Sequence, residues 1–318
     1  MDIVLPKATK DRDDVARTFA HLANLVSETP PAGADPIAFM RAQVERYGAA
    51  EPVSVPADVE VRPVSVDGIG AEWLLPAGWK QGPHARLVYL HGGAWAAGSL
   101  NSHRPLAASL AKRLGYPVLL VAYALAPEHP FPAGLNDCAA ALAWARTNGP
   151  EGEGATASLF LAGDSAGGNF AAAATVKGIV EGGEVPDRLL LLSGALELSH
   201  NEGRAGIIDP LNSFARQEAQ FEGIHFLYLQ ERAQPSDPLV SPLQASDATI
   251  ARFPPTLLQV SNSEFLLWDG QHFAAKLIAG GVRTQLSVWA GLPHVWQIFP
   301  SLPETDAALG EAATFLKP

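Results

Sequence analysis

Cysteine is almost absent from this sequence: among its 318 residues there is only Cys138. A single cysteine excludes an internal disulfide and a cluster of thiolate ligands for zinc. Because Cys138 lies in an apolar run with helical spacing, we expect it to be a small buried side chain. The sequence also contains no internal repeat and no glycine-rich loop of the kind that binds phosphate.

Basic residues are scarce as well. Lysine and arginine total 22 against 33 acidic residues, which gives a formal net charge of -11. This balance argues against nucleic acid and anionic membrane surfaces as partners, because both require basic patches. No apolar run is long enough for a membrane span, and residues 1–10 contain no signal-peptide pattern. We therefore expect a cytoplasmic globular enzyme.

Short, nearly continuous apolar runs alternate with helical segments through most of the chain. Such runs are typical of strands that are buried on both faces of a mainly parallel α/β sheet. Glycines at 115, 149, 182 and 280 are placed as helix C-caps. The predicted strands are residues 84–90, 117–123, 157–162, 188–192, 255–260 and 284–289.

The flanking segments predict a domain organisation. Residues 14–27 and 36–47 have helical patterns, and residues 51–76 alternate as an antiparallel pair around Asp67-Gly68. The interval between the fourth and fifth runs is too long for a bare loop. We predict a helical cap from residues 1–50 and 195–233 on a core of residues 51–194 and 234–318. The last predicted strand, residues 284–289, is an exposed edge on which two copies could form a homodimer.

The chain is organised around Gly163-Asp164-Ser165-Ala166-Gly167. An apolar run precedes this segment and an alanine-rich helical pattern follows it, so Ser165 is predicted to lie on a strand-to-helix turn. The flanking glycines allow the helix to start close to the strand. Upstream, a strand leads into His91-Gly92-Gly93-Ala94-Trp95, whose backbone N–H groups could form an oxyanion hole. We expect His91 to hold this loop by hydrogen bonding.

These motifs resemble those of the hormone-sensitive-lipase-like esterases of the α/β-hydrolase fold, over about residues 85 to 318. The resemblance rests on His-Gly-Gly-x-Trp, on the Leu-Ala-Pro-Glu-His-Pro-Phe-Pro-Ala run of residues 125–133, and on Gly-Asp-Ser-Ala-Gly-Gly. The segment 237–242 also looks like a family stretch. The resemblance implies a mainly parallel sheet of about eight strands, a helical cap, and carboxylic ester hydrolysis without metal or cofactor.

The sequence departs from the family pattern at three places. Ala94 replaces a third glycine, and Ala122-Tyr123-Ala124 stands where Asp-Tyr-Arg is usual. The third departure concerns the acid of the triad: the expected aspartate position after the strand 255–260 carries Glu264. Asp269 is the rival, although its position predicts a helix N-cap. Asp164 and Glu128 precede the serine, and Asp237 lies too early in the order serine, acid, histidine.

The base must follow Ser165, which leaves four histidines. His294 lies in a loop after the last predicted strand, where the family has its base. His200 and His225 fall in the cap insertion, and His272 lies on a helical run. We therefore predict His294 as the base that accepts the proton of Ser165.

The expected mechanism is attack by Ser165, with Gly92, Gly93 and Ala166 N–H groups holding the oxyanion. Hydrolysis of a lactone by the same triad, or ligand binding without turnover by a receptor of this fold, are alternatives that the sequence leaves open. Candidate pocket residues are Trp95, Asp164, Phe214, Phe226, Trp268 and Trp296.

Overall fold

The computed structural model describes residues 12–49, 54–80, 82, 85–199 and 225–317. Two helices come first, α1 (Asp13–Ser27) and α2 (Pro36–Glu45). The apolar residues of α1 recur at helical spacing and are buried in the same cluster as the core helices. Helix α2 starts at a proline, and the Asp35 side chain accepts a hydrogen bond from the Ile37 amide as its N-cap. Both predicted helices are confirmed, and the second ends earlier than predicted.

An eight-stranded sheet forms the centre of the molecule. Its strands are β1 (Val59–Val66), β2 (Ile69–Pro76), β3 (Arg86–Leu90), β4 (Val118–Ala122), β5 (Leu159–Asp164), β6 (Arg188–Leu192), β7 (Thr256–Ser261) and β8 (Thr284–Trp289). Their order in the sheet is β1-β2-β4-β3-β5-β6-β7-β8, and every strand except β2 runs in the same direction, since β2 pairs antiparallel with both β1 and β4. Asp67 and Gly68 both have positive φ in the turn between β1 and β2, as a two-residue hairpin requires.

Helices cover both faces of the sheet. One buried cluster joins the sheet to α4, α5 and α7, and a second joins it to α1, α3 and α8. Alternate residues of β3 belong to opposite clusters, because successive side chains of a strand point to opposite faces. The helices after α2 are α3 (Leu100–Leu114), α4 (Ala133–Thr147), α5 (Ala166–Glu181), α6 (Asp247–Ile250), α7 (Leu267–Ala279) and α8 (Pro303–Phe315).

Three of the four predicted glycine C-caps are confirmed. Gly115 and Gly182 end their helices in the left-handed conformation. Gly280 is the C-cap of α7 but has a negative φ, and the left-handed residue is the next one, Gly281. Gly149 is not a cap: Asn148 ends α4, and a Cβ added at Gly149 would lie 2.6 Å from the Arg86 guanidinium.

The architecture is that of an α/β protein, as predicted. Strand β8 lies at the edge opposite β1, where the sequence places it. In the part of the chain that the structure describes, no helix combines the length and apolar character needed to cross a membrane.

Candidate active site

Ser165 occupies a sharp turn between β5 and α5. Its backbone has φ 52° and ψ -117°, a conformation that costs free energy and persists only where the surroundings impose it. A Cβ added at Gly163 would lie 2.2 Å from the Gly167 carbonyl oxygen, and one added at Gly167 would lie 2.1 Å from the Leu90 carbonyl oxygen. Both glycines are therefore required by close backbone approach, and the turn leaves the half-buried Ser165 at the carboxyl end of the sheet.

Three side chains from separate loops meet at this end of the sheet. His294 Nε2 lies 3.0 Å from Ser165 Oγ, and His294 Nδ1 pairs with a carboxylate oxygen of Glu264. Glu264 is fully buried, and its other oxygen accepts from the Ser193 hydroxyl at 2.7 Å and the Ser261 amide at 2.8 Å. The carboxylate is thus fixed from both sides, and it orients the imidazole toward the serine.

Asp269 binds backbone amides. One of its carboxylate oxygens accepts from the amides of Leu196 at 2.8 Å and Glu197 at 3.0 Å. It belongs to the first turn of α7 but does not cap that helix, whose N-cap residue is Leu266 without a side-chain bond. Asp269 is thus an acidic residue of the first helical turn, as its position predicts, and its carboxylate anchors the chain where it leaves β6.

The predicted oxyanion donors need one correction. The Gly92 amide is buried and donates to Asp164 Oδ1 at 3.1 Å, so it is committed inside the protein. Gly93 and Ala94 follow with φ 128° and 51° and are more exposed. Within the described residues, no acceptor is bonded to the amides of Gly93, Ala94 or Ala166, the first residue of α5. These three amides, and not that of Gly92, are available to an oxyanion.

Asp164 is buried beneath the loop of residues 91–95. Its carboxylate accepts from Tyr89 Oη at 2.8 Å and lies 3.2 Å from His103 Nε2, and the residue is only 2% exposed. Burial alone would raise the pKa of Asp164, but the charge of His103 and the hydrogen bonds from His103 and Tyr89 lower it. The predicted pocket role is therefore replaced by an ionised anchor for Gly92.

His91 holds the same loop, as predicted. Its Nδ1 lies 2.8 Å from the Gly92 carbonyl oxygen, and its ring stacks on Tyr123 with centroids 4.3 Å apart. Burial, with a smaller contribution from the charge of His103, lowers the pKa of His91 to about 4. His91 is consequently neutral at physiological pH.

The aromatic pocket candidates are dispersed. Trp95 is buried beneath Tyr228, with ring centroids 5.0 Å apart, and its indole N–H donates to Asn169. Trp296 is completely buried in the core beside Trp289, so it has a packing position and does not line an open pocket. The other three differ in setting: Trp268 is half-buried and stacks on His272, Phe226 is 78% exposed, and Phe214 lies outside the described residues.

Sequence reasoning missed several residues that support the site. The Tyr47 hydroxyl, just beyond α2, donates to the His294 carbonyl oxygen at 2.7 Å. Burial, and then the charges of Glu264 and Asp164, raise the pKa of Tyr47, which keeps its hydroxyl protonated. Ser193, after β6, binds Glu264 as described above. These contacts join segments that are far apart in the chain, so no local pattern could have indicated them.

The fold and the site together define an α/β hydrolase, and the family model described as "alpha/beta hydrolase fold" matches residues 87–298. Within this fold, the chain belongs to the hormone-sensitive-lipase-like esterases. It is similar to an esterase structure from the bacterial hormone-sensitive lipase family, with 31% identity, TM-score 0.84, and coverage of 96% of this chain and 98% of that one.

Curated relatives agree with this assignment. Esterase LipU of Mycobacterium tuberculosis is 34% identical over 272 residues, which cover 83% of this chain and 87% of LipU. An acetyl-hydrolase of Streptomyces hygroscopicus is 32% identical over 264 residues, covering 82% and 83% of the two chains. The enzyme class of the chain is accordingly that of a carboxylesterase.

Proposed function

We propose that the protein hydrolyses carboxylic esters of short to medium acyl chain through a Ser165-His294-Glu264 triad and an acyl-enzyme. The observation that carries the proposal is the hydrogen-bonded series from Glu264 through His294 to Ser165 Oγ. Ser165 also stands at the N-terminus of α5, where the helix dipole favours developing negative charge.

The reaction has two halves. As Ser165 Oγ bonds to the acyl carbon, its proton passes to His294 Nε2, and Glu264 stabilises the resulting imidazolium. The amides of Gly93, Ala94 and Ala166 donate to the oxyanion of the tetrahedral intermediate. Its collapse expels the alcohol, which takes the proton from His294. Water then attacks the acyl-enzyme with His294 again as base, and the carboxylic acid is released.

The preference for short acyl groups is supported by similarity. The Streptomyces hygroscopicus relative is named an acetyl-hydrolase, which makes a small acyl group a reasonable first substrate to test. We expect the cap segments, residues 1–50 and 195–233, to limit the length of the acyl chain that reaches Ser165. Esters of about two to eight acyl carbons are the proposed range.

Replacement of the nucleophile tests the proposal. Ser165→Ala should abolish hydrolysis of p-nitrophenyl butyrate, because an alanine cannot form the acyl-enzyme. Ser158→Ala, directly before the first residue of the same strand, is the matched control and should retain wild-type kcat/KM. Circular dichroism should show that both variants are folded. Wild-type turnover by Ser165→Ala would contradict the proposal, and ligand binding without any turnover by the wild type would favour a receptor.

A further inference from the structure

Arg41, on helix α2, reaches across to two loops that adjoin the proposed oxyanion hole. Its Nε donates to the Ala96 carbonyl oxygen at 2.8 Å, and its Nη2 donates to the Ala126 carbonyl oxygen at 3.1 Å. The same guanidinium binds both carboxylate oxygens of Glu128, at 2.9 and 2.6 Å. One side chain therefore joins α2, the loop after β3 and the loop after β4.

The loop after β3 needs such support. Gly93, Ala94 and Trp95 all have positive φ, which is unfavourable for the two residues that carry a Cβ. The Trp95 carbonyl oxygen accepts from the Ala126 amide at 2.9 Å, so the two loops are also bonded directly to each other. Arg41 binds the carbonyl groups on either side of this contact and thereby encloses the strained turn.

Only an arginine supplies this pattern of donors. The guanidinium is a planar fork whose separate N–H groups bind two carbonyls and one carboxylate at once. The hydrogen bonds from Arg41 lower the pKa of Glu128 to about 2, so the pair is ionised at neutral pH. A lysine could satisfy Glu128, but its single ammonium group could not bind both carbonyl oxygens in the same geometry.

A neighbouring arginine, Arg46, also pairs with a glutamate but lacks the loop contacts of Arg41. Arg46, directly beyond α2, binds Glu28 with both of its terminal nitrogens. Its side chain is 48% exposed, and its remaining hydrogen bond is to Ala42 within the same segment. Arg46 thus resembles Arg41 in its charge and in its pairing with a glutamate. The hydrogen bonds of its side chain do not reach the loop after β3 or the loop after β4.

We propose that Arg41 is a positioning residue that holds the amides of Gly93 and Ala94 in the geometry that stabilises the oxyanion. The inference rests on the proposed esterase function. It assigns helix α2 a role in the chemical step. Because Arg41 acts on the oxyanion loop and not on substrate binding, its loss should lower kcat and leave KM nearly unchanged.

The test compares Arg41→Met, Arg41→Lys and Arg46→Met on p-nitrophenyl butyrate. Removal of a whole oxyanion donor costs about 10²-fold or more in kcat, so a displaced loop should cost roughly 10-fold. We expect Arg41→Met to lose that factor in kcat with KM within about twofold. Arg41→Lys should lose at least about threefold although the pair with Glu128 is kept. Arg46→Met should match the wild type.

A second readout separates positioning from general stability. A short-chain alkyl trifluoromethyl ketone adds reversibly to an active serine and places an oxyanion where the transition state has one. Its inhibition constant should rise in the Arg41 variants by the same factor by which kcat/KM falls. A thermal shift with unchanged kcat and inhibition constant would overturn the inference. Arg41→Lys gives the same test if Arg41→Met does not fold.

The proposed function has its own control in this experiment. If the wild type shows no Ser165-dependent hydrolysis, the esterase mechanism fails, and the role of Arg41 fails with it. If Ser165→Ala is inactive and both Arg41 variants have wild-type kcat and inhibition constants, the mechanism stands and the role of Arg41 alone is refuted.

Discussion

Glu264 and Asp269 are five positions apart, yet they have different environments. Glu264 binds His294 Nδ1, whereas Asp269 binds the amides of Leu196 and Glu197. Both carboxylates are fully buried, so burial does not distinguish them. The identity of the hydrogen-bond partner does, and it makes the two residues a matched pair for mutation.

Glu264→Gln should lower kcat by about 10² to 10⁴, because it keeps the shape but removes the charge that stabilises the imidazolium. Asp269→Asn should retain most of kcat and lose stability, since it weakens the attachment of the chain after β6. Glu264→Asp should also be impaired, because the shorter side chain cannot contact His294, Ser193 and Ser261 together. Steady-state kinetics and thermal melts of the three variants check this, and an equal loss of kcat in Asp269→Asn and Glu264→Gln would contradict it.

His91 should make folding stability depend on pH. Its pKa falls from 6.5 to about 4 on folding, so below pH 6.5 the unfolded chain binds a proton that the folded protein does not. The free energy of unfolding should therefore be highest above about pH 6.5 and decrease by about 3 kcal/mol as pH falls toward 4. The free energy of unfolding of His91→Phe, measured in urea, should fall less steeply with decreasing pH over this range than that of the wild type. This difference does not depend on the absolute stability of the variant. The exposed His272→Gln serves as the control, and an unchanged slope in His91→Phe would refute the prediction.

The residues of the proposed triad could be predicted from the sequence, but the direction of a backbone N–H could not. Ser165 and His294 follow from motif and chain order, and Glu264 from its place after a strand. The sequence does not distinguish the Gly92 amide, which is bonded inside the protein, from that of Gly93, because the two neighbouring glycines look alike. The direction of the Gly92 amide depends on Asp164, a residue 72 positions away, to which it donates.

The turn at Ser165, between strand β5 and helix α5, requires glycine where two segments of the backbone approach closely. A Cβ at Gly167 would meet the carbonyl oxygens of Leu90 and His91, at 2.1 and 2.4 Å, which are parts of the backbone and cannot yield cheaply. We expect Gly167→Ala to destabilise the protein by at least about 2 kcal/mol and to impair turnover.

Gly310→Ala is the matched control, since Gly310 lies within α8 and an added Cβ would have no atom within 4 Å. It should stabilise the protein by about 0.5 to 1 kcal/mol, because alanine is the better helix former. Denaturant unfolding of both variants measures these changes. Equal effects at the two glycines would show that close approach does not govern the turn.

The secondary structure was predictable wherever apolar residues formed continuous runs. The six runs predicted as strands are strands. Five of them are buried over nearly their whole length, which leaves an unambiguous pattern, whereas β8, at the edge, is only partly buried. Helix ends were less certain: Gly149 sits after α4 but is fixed by contact with Arg86, which a local pattern does not reveal. Contacts such as Arg41 to Ala96 are likewise set only by the folded arrangement.

At the scale of the whole molecule, we propose that the predicted cap segments, residues 1–50 and 195–233, set the substrate range. We expect kcat/KM to be highest for p-nitrophenyl esters of about two to eight acyl carbons and to fall for longer chains. A panel of acyl esters and lactones, with and without an emulsified lipid, measures this range. A rate that continues to rise into long chains, or increases sharply at the lipid interface, would contradict a capped esterase. Faster turnover of a lactone than of any ester would favour the lactonase alternative.

Covalent labelling tests the proposed mechanism most directly. A fluorophosphonate reacts with an activated serine, and intact-protein mass spectrometry followed by peptide mapping identifies the modified residue. We predict one adduct per chain, on Ser165, with much slower labelling of Glu264→Gln and none of Ser165→Ala. Labelling of another serine, or the same adduct in Ser165→Ala, would contradict the assignment of Ser165 as the nucleophile.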